Sequence, residues 1–184
     1  MNKPDNWDTI PAKTTGEYSR PKAGAYVCKI VHALEKTSST NRPMVELYLD
    51  IAEGEHAGHF KKLYEFLKTN NPEAKWVCVH RRCTDTEQEG YFKGDISCIE
   101  QSNDGYKFNF DLKTLIGKKV GVMFGDKIIG ENQDGSPKTA IEPRWLLSTK
   151  RVLEGGMNLP KIKEMDKSKI TKKADNFDDS ALPF

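Results

Sequence analysis

The eight residues from Met44 to Ile51 constrain the fold most, because two kinds of side chain alternate along them. One side carries Val45, Leu47, Leu49 and Ile51, and the other carries Met44, Glu46, Tyr48 and Asp50. A period of two with one apolar face is typical of a half-buried antiparallel strand. The β-rich run from Gly24 to Leu34 precedes it, and a polar loop lies between them. The two runs therefore predict a long hairpin whose loop carries Lys36 and Arg42.

Residues 59–68 have a pattern that fits two structures. Phe60, Leu63, Tyr64 and Leu67 form a helical stripe, while Phe60, Lys62, Tyr64 and Phe66 alternate as one face of a strand. The periodicity favours a helix. A third strand would instead place aromatic rings and lysine on one sheet face.

The remaining elements follow in a simple order. Residues 76–82 read as an extended segment, and Phe92, Ile96 and Ile99 have the spacing of a short amphipathic helix. Residues 118–124 and 139–153 then read as two further strands. The order predicts a mainly β domain, an OB fold built as a five-stranded Greek-key barrel with one helix between strands 3 and 4.

Charge and composition divide the chain into four parts. We predict an arm over residues 1–22, a domain over 23–154, a flexible basic linker over 155–176 and an acidic tip over 177–184. The net charge of the chain is only +2, but residues 161–173 carry six lysines against two carboxylates. Residues 175–184 carry three aspartates and no base. Such a division allows the basic part to contact a polyanion while the acidic tip serves another role.

The tip joins two acids to an apolar end. Asp178 and Asp179 are followed by Leu182, Pro183 and Phe184. Pro183 disfavours a helix at Leu182, which leaves a short extended peg. The tip resembles the C-terminal tip of bacterial single-stranded DNA-binding proteins, which recruits replication and repair partners. This resemblance implies a partner-binding role for the five residues, against the alternative of an ordinary chain end.

Three blocks of the domain extend this resemblance. They are Lys22-Ala-Gly-Ala-Tyr-Val27, then Phe92–Ile96 with Ile99–Asn103, and Leu115–Val122. Together they are similar to phage-encoded single-stranded DNA-binding proteins from phages of Gram-positive bacteria. The resemblance implies an OB fold that binds single-stranded DNA without sequence preference in phage DNA replication, recombination and repair. It also favours the strand reading of residues 59–68.

Binding of any single strand requires basic side chains that contact the phosphates and aromatic side chains on which the nucleobases stack. Under the resemblance, Tyr48 is the best stacking candidate, because it lies on the polar side of the alternating run. The predicted DNA-binding residues are Arg42, Tyr48, Lys62, Tyr64, Trp76, Arg81, Arg82, Lys118, Lys119, Lys150 and Arg151. For most of the aromatic residues in this set, packing in the core is the competing interpretation.

Other classes of protein receive less support. The sequence contains no Walker A, GxSxG or HExxH motif, so no enzyme and no cofactor is predicted. A zinc site using Cys78, His80 and Cys83 is disfavoured because the chain has no CxxC pair. A metal-dependent nuclease and a protein-binding module, either a recombinase loader or a host-directed inhibitor, remain as alternatives.

The start of the sequence has no apolar signal core, and no stretch has the length of a membrane span. We therefore expect a cytoplasmic protein, in the bacterial host if it is phage-encoded, with no membrane partner. Cysteines in that compartment are expected to be reduced. Edge strands leave a homo-oligomer possible.

Overall fold

The computed structural model describes residues 20–164. Within them, five antiparallel strands form one sheet in the order β3-β2-β1-β4-β5. The strands are β1 (Gly24–Thr37), β2 (Pro43–Ile51), β3 (Val79–Cys83), β4 (Lys119–Glu131) and β5 (Pro137–Leu147). The helices are α1 (His59–Asn70), α2 (Glu89–Gln101) and α3 (Thr149–Glu154), with a short 3₁₀ helix at Leu112–Leu115. The predicted mainly β class with five strands is confirmed.

The predicted hairpin is β1 and β2. Thr37 pairs with Pro43 beside the loop, and Cys28 pairs with Ile51 at the far end. The apolar side of β2 lies in the core, where Val45, Leu47, Leu49 and Ile51 are all buried. A bulge between Ile30 and His32 shifts the register, so that the strand bends while its apolar residues stay inside.

The strand reading of residues 59–68 is wrong, because these residues lie in helix α1. The helical stripe decides the structure: Phe60 is buried and stacks on Phe124 of β4 with ring centroids 5.8 Å apart. The start of the helix is held by Asp50 of β2, whose carboxylate accepts a hydrogen bond from the Phe60 backbone amide at 2.9 Å. Tertiary capping of this kind has no local sequence signal.

The end of the last strand and the number of helices also differ from expectation. The last strand was predicted to run to Leu153, but β5 ends at Leu147 and α3 follows. Ser148 causes the change, since its hydroxyl accepts a hydrogen bond from the Arg151 amide and caps the new helix. The prediction of a single helix is therefore incomplete, because α1 and α3 accompany the predicted helix α2.

The core lies between the sheet and α2. Ile30, Leu49, Ile99, Leu115 and Phe124 are among its fully buried members. Helix α2 follows β3 in the chain and contacts β3, β4 and β5. The two edge strands, β3 and β5, also contact each other, so the sheet is strongly curved around its apolar side.

Residues 155–164 leave α3 and return to β4. Lys163 donates its backbone amide to the Asp126 carbonyl at 2.9 Å, and Ile128 donates to the Lys163 carbonyl at 3.0 Å. The Lys163 ammonium group also lies 2.8 Å from Glu142 of β5. This part of the predicted linker is thus attached to the sheet, while the boundaries of the arm, linker and tip stay predictions.

No helix in the described part of the chain is both long enough and apolar enough to cross a membrane.

Candidate functional site

The outward side of β1, β2 and β3 brings charged and aromatic side chains together. The pairing of the strands places His32 opposite Tyr48, Lys36 opposite Met44, and Glu46 opposite Arg81. We call the side chains of His32, Lys36, Glu46, Tyr48 and Arg81 the outer face. They lie on the side of the sheet that is opposite the core residues of β2.

Glu46 is the centre of the outer face. Its carboxylate accepts hydrogen bonds from Arg81 Nε at 2.8 Å and from the Tyr48 hydroxyl at 3.0 Å, and lies 2.8 Å from Lys36 Nζ. Burial raises the pKa of Glu46, but the three partners outweigh it, so the pKa lies below its ordinary value. Glu46 is therefore ionised and ties one residue from each strand into a fixed arrangement.

The two cations remain largely accessible although they are paired. The side chains of Lys36 and Arg81 are 48% and 58% exposed, while that of Glu46 is 5% exposed. Arg81 uses Nε for the pair, and its two terminal nitrogens have no acceptor within residues 20–164. The outer face thus carries a net charge of +1 with its guanidinium group available for a further anion.

Two rings lie beside these charges. Tyr48 and His32 contact each other edge to face, with ring centroids 5.6 Å apart. The Tyr48 ring is half-buried and is held in place by the bond from its hydroxyl to Glu46, while His32 is exposed. A fixed aromatic ring beside a pair of exposed cations is an arrangement that suits an anionic polymer with flat bases.

Other predicted DNA-binding residues are used by the fold. Arg42 joins the β1–β2 loop to the segment before α2, because its guanidinium group pairs with Asp85 and lies 3.1 Å from Glu87. The bond to Asp85 raises the pKa of Arg42 and lowers that of Asp85. Arg42 therefore holds the loop to that segment, with its charge opposed by two acids.

Arg82 lies on the opposite side of β3 from Arg81. Its Nε is 2.7 Å from Asp95 of α2, and the same carboxylate oxygen is 2.9 Å from Nε2 of the buried His80. Burial raises the pKa of Asp95, but His80 and Arg82 outweigh it, so the pKa is lowered overall. These three residues attach α2 to β3 and do not belong to the outer face.

Tyr64, Trp76 and Lys62 lie at helix α1. The rings of Tyr64 and Trp76 are 5.4 Å apart, and Trp76 donates its indole N–H to the Leu49 carbonyl at 3.0 Å. Trp76 therefore packs the segment before β3 onto β2. Lys62 is exposed on the helix.

The four remaining predicted residues lie at other places. Lys118 covers the Tyr106 ring at 4.4 Å, and Lys119 pairs with Glu53 at 2.7 Å. Lys150 and Arg151 lie on α3, where both are exposed. The structure thus brings Tyr48 and Arg81 together on one face and separates these four from them. The predicted partner-binding residues Asp178, Asp179, Leu182, Pro183 and Phe184 lie outside the described residues.

Sequence reasoning missed His32 and the central role of Glu46, and it placed Lys36 only in the loop. The sequence did contain a signal for His32. In a hairpin whose loop is residues 38–42, Thr37 pairs with Pro43, and counting back along both strands pairs His32 with Tyr48. The exposed Trp145 on β5 was also missed. Among residues 20–164, no group of three His, Cys, Asp or Glu side chains is arranged to hold a metal ion.

Two comparisons with known proteins found no match. No protein-family model matches the chain. No curated protein matches it either. The outer face and the order of the strands therefore carry the functional argument.

Proposed function

We propose that the protein is an OB-fold protein that binds single-stranded DNA without sequence preference on its outer face. The fold proposal rests on three observations. The strand order β3-β2-β1-β4-β5 is that of an OB barrel opened between β3 and β5, those two strands contact each other, and α2 lies between β3 and β4. OB folds bind oligonucleotides with this sheet surface and the adjoining loops.

The observation that carries the proposal is the fixed Tyr48 ring, whose hydroxyl bonds the same carboxylate, Glu46, that pairs with Lys36 and Arg81. Each cation contributes a phosphate contact, and the ring offers a stacking surface that is indifferent to base identity. The hydrogen bonds to Glu46 hold all three side chains before any ligand arrives, which lowers the entropy lost on binding. Glu46 itself repels phosphate, so the bases lie over the centre of the face and the phosphates follow its rim.

The wider role extends this activity. The protein would coat single strands in phage DNA replication, recombination and repair in the bacterial cytoplasm. The tip at residues 177–184 would recruit replication or recombination proteins, and an oligomer would form through its edge strands. No catalytic activity is proposed.

The test is a fluorescence-anisotropy titration of labelled oligo-dT against a duplex of equal length, at two salt concentrations. Full-length protein and a version ending at Asn176 are compared, with Arg81→Ala as the site variant. Lys61→Ala is the matched control, because Lys61 is an exposed cation on α1 away from the outer face. Incubation of the oligonucleotide with Mg²⁺ or Mn²⁺ reveals any nuclease activity.

We expect salt-dependent preference for the single strand in both versions of the protein. Arg81→Ala should weaken binding and reduce the slope of log affinity against log salt by about 0.7, the value for one phosphate contact on a single strand. Lys61→Ala should leave the slope unchanged. Absence of binding in both versions would reject the proposal and favour the protein-binding module, while loss of the oligonucleotide would favour a nuclease.

A further inference from the structure

Phe110 presents its ring to solvent to an unusual degree. It is 85% exposed, and its φ angle of 63° lies in the left-handed region that bulky residues avoid. An exposed phenyl ring and a strained backbone are both unfavourable, and either could be relieved by a polar residue or glycine at this position. Together, the exposure of the ring and the backbone strain indicate that Phe110 contacts a binding partner.

The backbone around Phe110 is firmly held. Asp111 caps the 3₁₀ helix by accepting a hydrogen bond from the Lys113 amide at 3.0 Å, and Asn109 accepts one from the Asp111 amide at 3.1 Å. Thr114 bonds the Tyr106 hydroxyl at 2.8 Å, which ties this turn to the partly buried Tyr106. The position of Phe110 is thus set by the fold rather than by contacts of its own ring with the core.

Phe110 is the end of a series of aromatic contacts. Its ring lies 5.3 Å from Phe108, and Phe108 lies 6.4 Å from Phe92 of α2. Next to Phe92 in the chain is Tyr91, which is 63% exposed and has the Arg82 guanidinium group 5.5 Å from its ring centroid. We call Tyr91, Phe92, Phe108 and Phe110 the aromatic track. Phe92 and Phe108 pack against the core, whereas Tyr91 and Phe110 are open to solvent.

The track lies across the edge strand β3 from the outer face. Arg81 on the outer face and Arg82 at Tyr91 are consecutive residues of β3, so they lie on opposite sides of that strand, and a polymer that leaves the outer face reaches the track by crossing β3. Lys93 follows Phe92, and Lys113 lies three residues beyond Phe110; both are exposed. Two acids lie close to the phenyl rings: Asp111, whose carboxylate is engaged in capping, and Glu100, which accepts a hydrogen bond from the Phe108 amide at 3.0 Å and pairs with Lys107. Exposed rings with cations near them fit an unpaired nucleic-acid strand better than an anionic or purely apolar partner.

We propose that Phe110 is a second base-stacking site, which receives nucleotides of a DNA strand that leaves the outer face over β3 and follows the aromatic track. This inference rests on the proposed function, because the strand must first occupy the outer face. The second site makes a prediction of its own: Phe110 contributes to binding only when the DNA strand is long enough to reach it.

The experiment uses the full-length chain and two labelled oligo-dT probes, of about 5 and about 20 nucleotides, a range that spans OB-fold site sizes. The main variant is Phe110→Gly, which removes the ring and suits the positive φ angle, so that the folded state is not weakened. Phe110→Trp keeps a stacking surface, and Phe110→Leu keeps only apolar bulk. Phe66→Ala removes a partly exposed phenyl ring from α1 and is the matched control.

We expect Phe110→Gly and Phe110→Leu to weaken binding of the long probe about tenfold, the loss expected for one stacked base, and to leave the short probe unaffected. Phe110→Trp and Phe66→Ala should bind both probes like the unaltered protein. Equal affinity of Phe110→Gly and unaltered protein for the long probe would overturn the second site while leaving the outer face intact. Failure of the unaltered protein to bind either probe would overturn both proposals together.

Discussion

Arg81 of β3 donates a hydrogen bond to Glu46 of β2 across directly paired positions, with 2.8 Å between Arg81 Nε and Glu46 Oε1. The carboxylate is buried and the guanidinium group is not. On a surface proposed to bind DNA, the negative charge of Glu46 opposes binding. Its bonds to Lys36, Tyr48 and Arg81 support binding, because they hold these side chains in place. The two effects can be separated by substitution.

Glu46→Gln should remove the charge and keep the size of the side chain. Because Lys36 and Arg81 lose an ionic partner, we expect the free energy of unfolding to fall by about 1.5–3 kcal/mol, the range of hydrogen bonds to charged groups. Because the face gains one net positive charge, affinity for oligo-dT should rise at low salt, and the salt slope should steepen. Urea unfolding and anisotropy titrations at two salt concentrations measure the two effects. Weaker binding at low salt would show that the ordering role dominates.

Tyr48→Ala should weaken oligo-dT binding by about 1–3 kcal/mol, the range for loss of one stacked base. The ring is half-buried on the outer face and not in the core, so the stability of the fold should change little. Tyr48→Phe is the control: it keeps the ring and loses only the bond to Glu46. Unaltered affinity in Tyr48→Ala, measured by anisotropy, would exclude Tyr48 as a stacking residue.

The sequence predicted those parts of the fold that depend on local periodicity. Apolar and polar residues alternate along β2 with a period of two, and this local pattern also shows on which side of the strand Tyr48 lies. For residues 59–68 the helical stripe predicts α1 and the resemblance favours a strand; the structure has the helix, with Phe60 stacked on Phe124 from a distant part of the chain. Periodicity was the better guide there.

The candidate site was harder to predict, since it depends on contacts between strands. The sequence alone does not distinguish Arg42 and Arg82 from Arg81. In the structure, however, Arg42 pairs with Asp85 and Arg82 pairs with Asp95. Only the register of β2 and β3 shows that Glu46 faces Arg81. Basic residues in a sequence therefore indicate a polyanion-binding surface without showing which cations form it.

Gly121→Ala should destabilise the fold by about 1–3 kcal/mol, the range for overpacking. A Cβ atom at Gly121 would lie 2.5 Å from Val152 Cγ2 of α3 and 2.8 Å from the Ser148 carbonyl oxygen. Part of this obstruction is backbone, which cannot rotate away. Gly130→Ala is the matched control in the same strand, where no atom lies within 4 Å of the added carbon. Urea unfolding that gives equal stabilities for the two variants would show that α3 does not pack tightly on β4.

Deletion of residues 177–184 should abolish binding to replication or recombination proteins and spare binding to oligo-dT. The reason lies in the sequence, which joins Asp178 and Asp179 to an apolar end at Phe184. A pull-down from host lysate with full-length and shortened protein, alongside anisotropy, measures both activities. Phe184→Ala tests the terminal ring with all the acidic side chains retained. Undiminished capture of partners by the shortened protein would remove the tip from the mechanism.

Asp95→Asn should lower the free energy of unfolding at neutral pH by about 3 kcal/mol, because it removes the charged partner of Arg82 from a buried site. The pKa of Asp95 in the folded protein lies below its ordinary value, so the unfolded chain takes up a proton first as the pH falls. The stability that Asp95 contributes is therefore fully present above about pH 4, the ordinary value for aspartate, and is lost as the pH falls through the lower folded value.

Urea unfolding at pH 7 and at about pH 3 should accordingly show a large difference between the unaltered protein and Asp95→Asn at pH 7, and a smaller one in acid. Asp111→Asn is a matched control, because Asp111 is exposed and its capping oxygen is retained by asparagine. A difference that stays constant across this pH range would mean that the charge of Asp95 does not stabilise the attachment of α2 to β3.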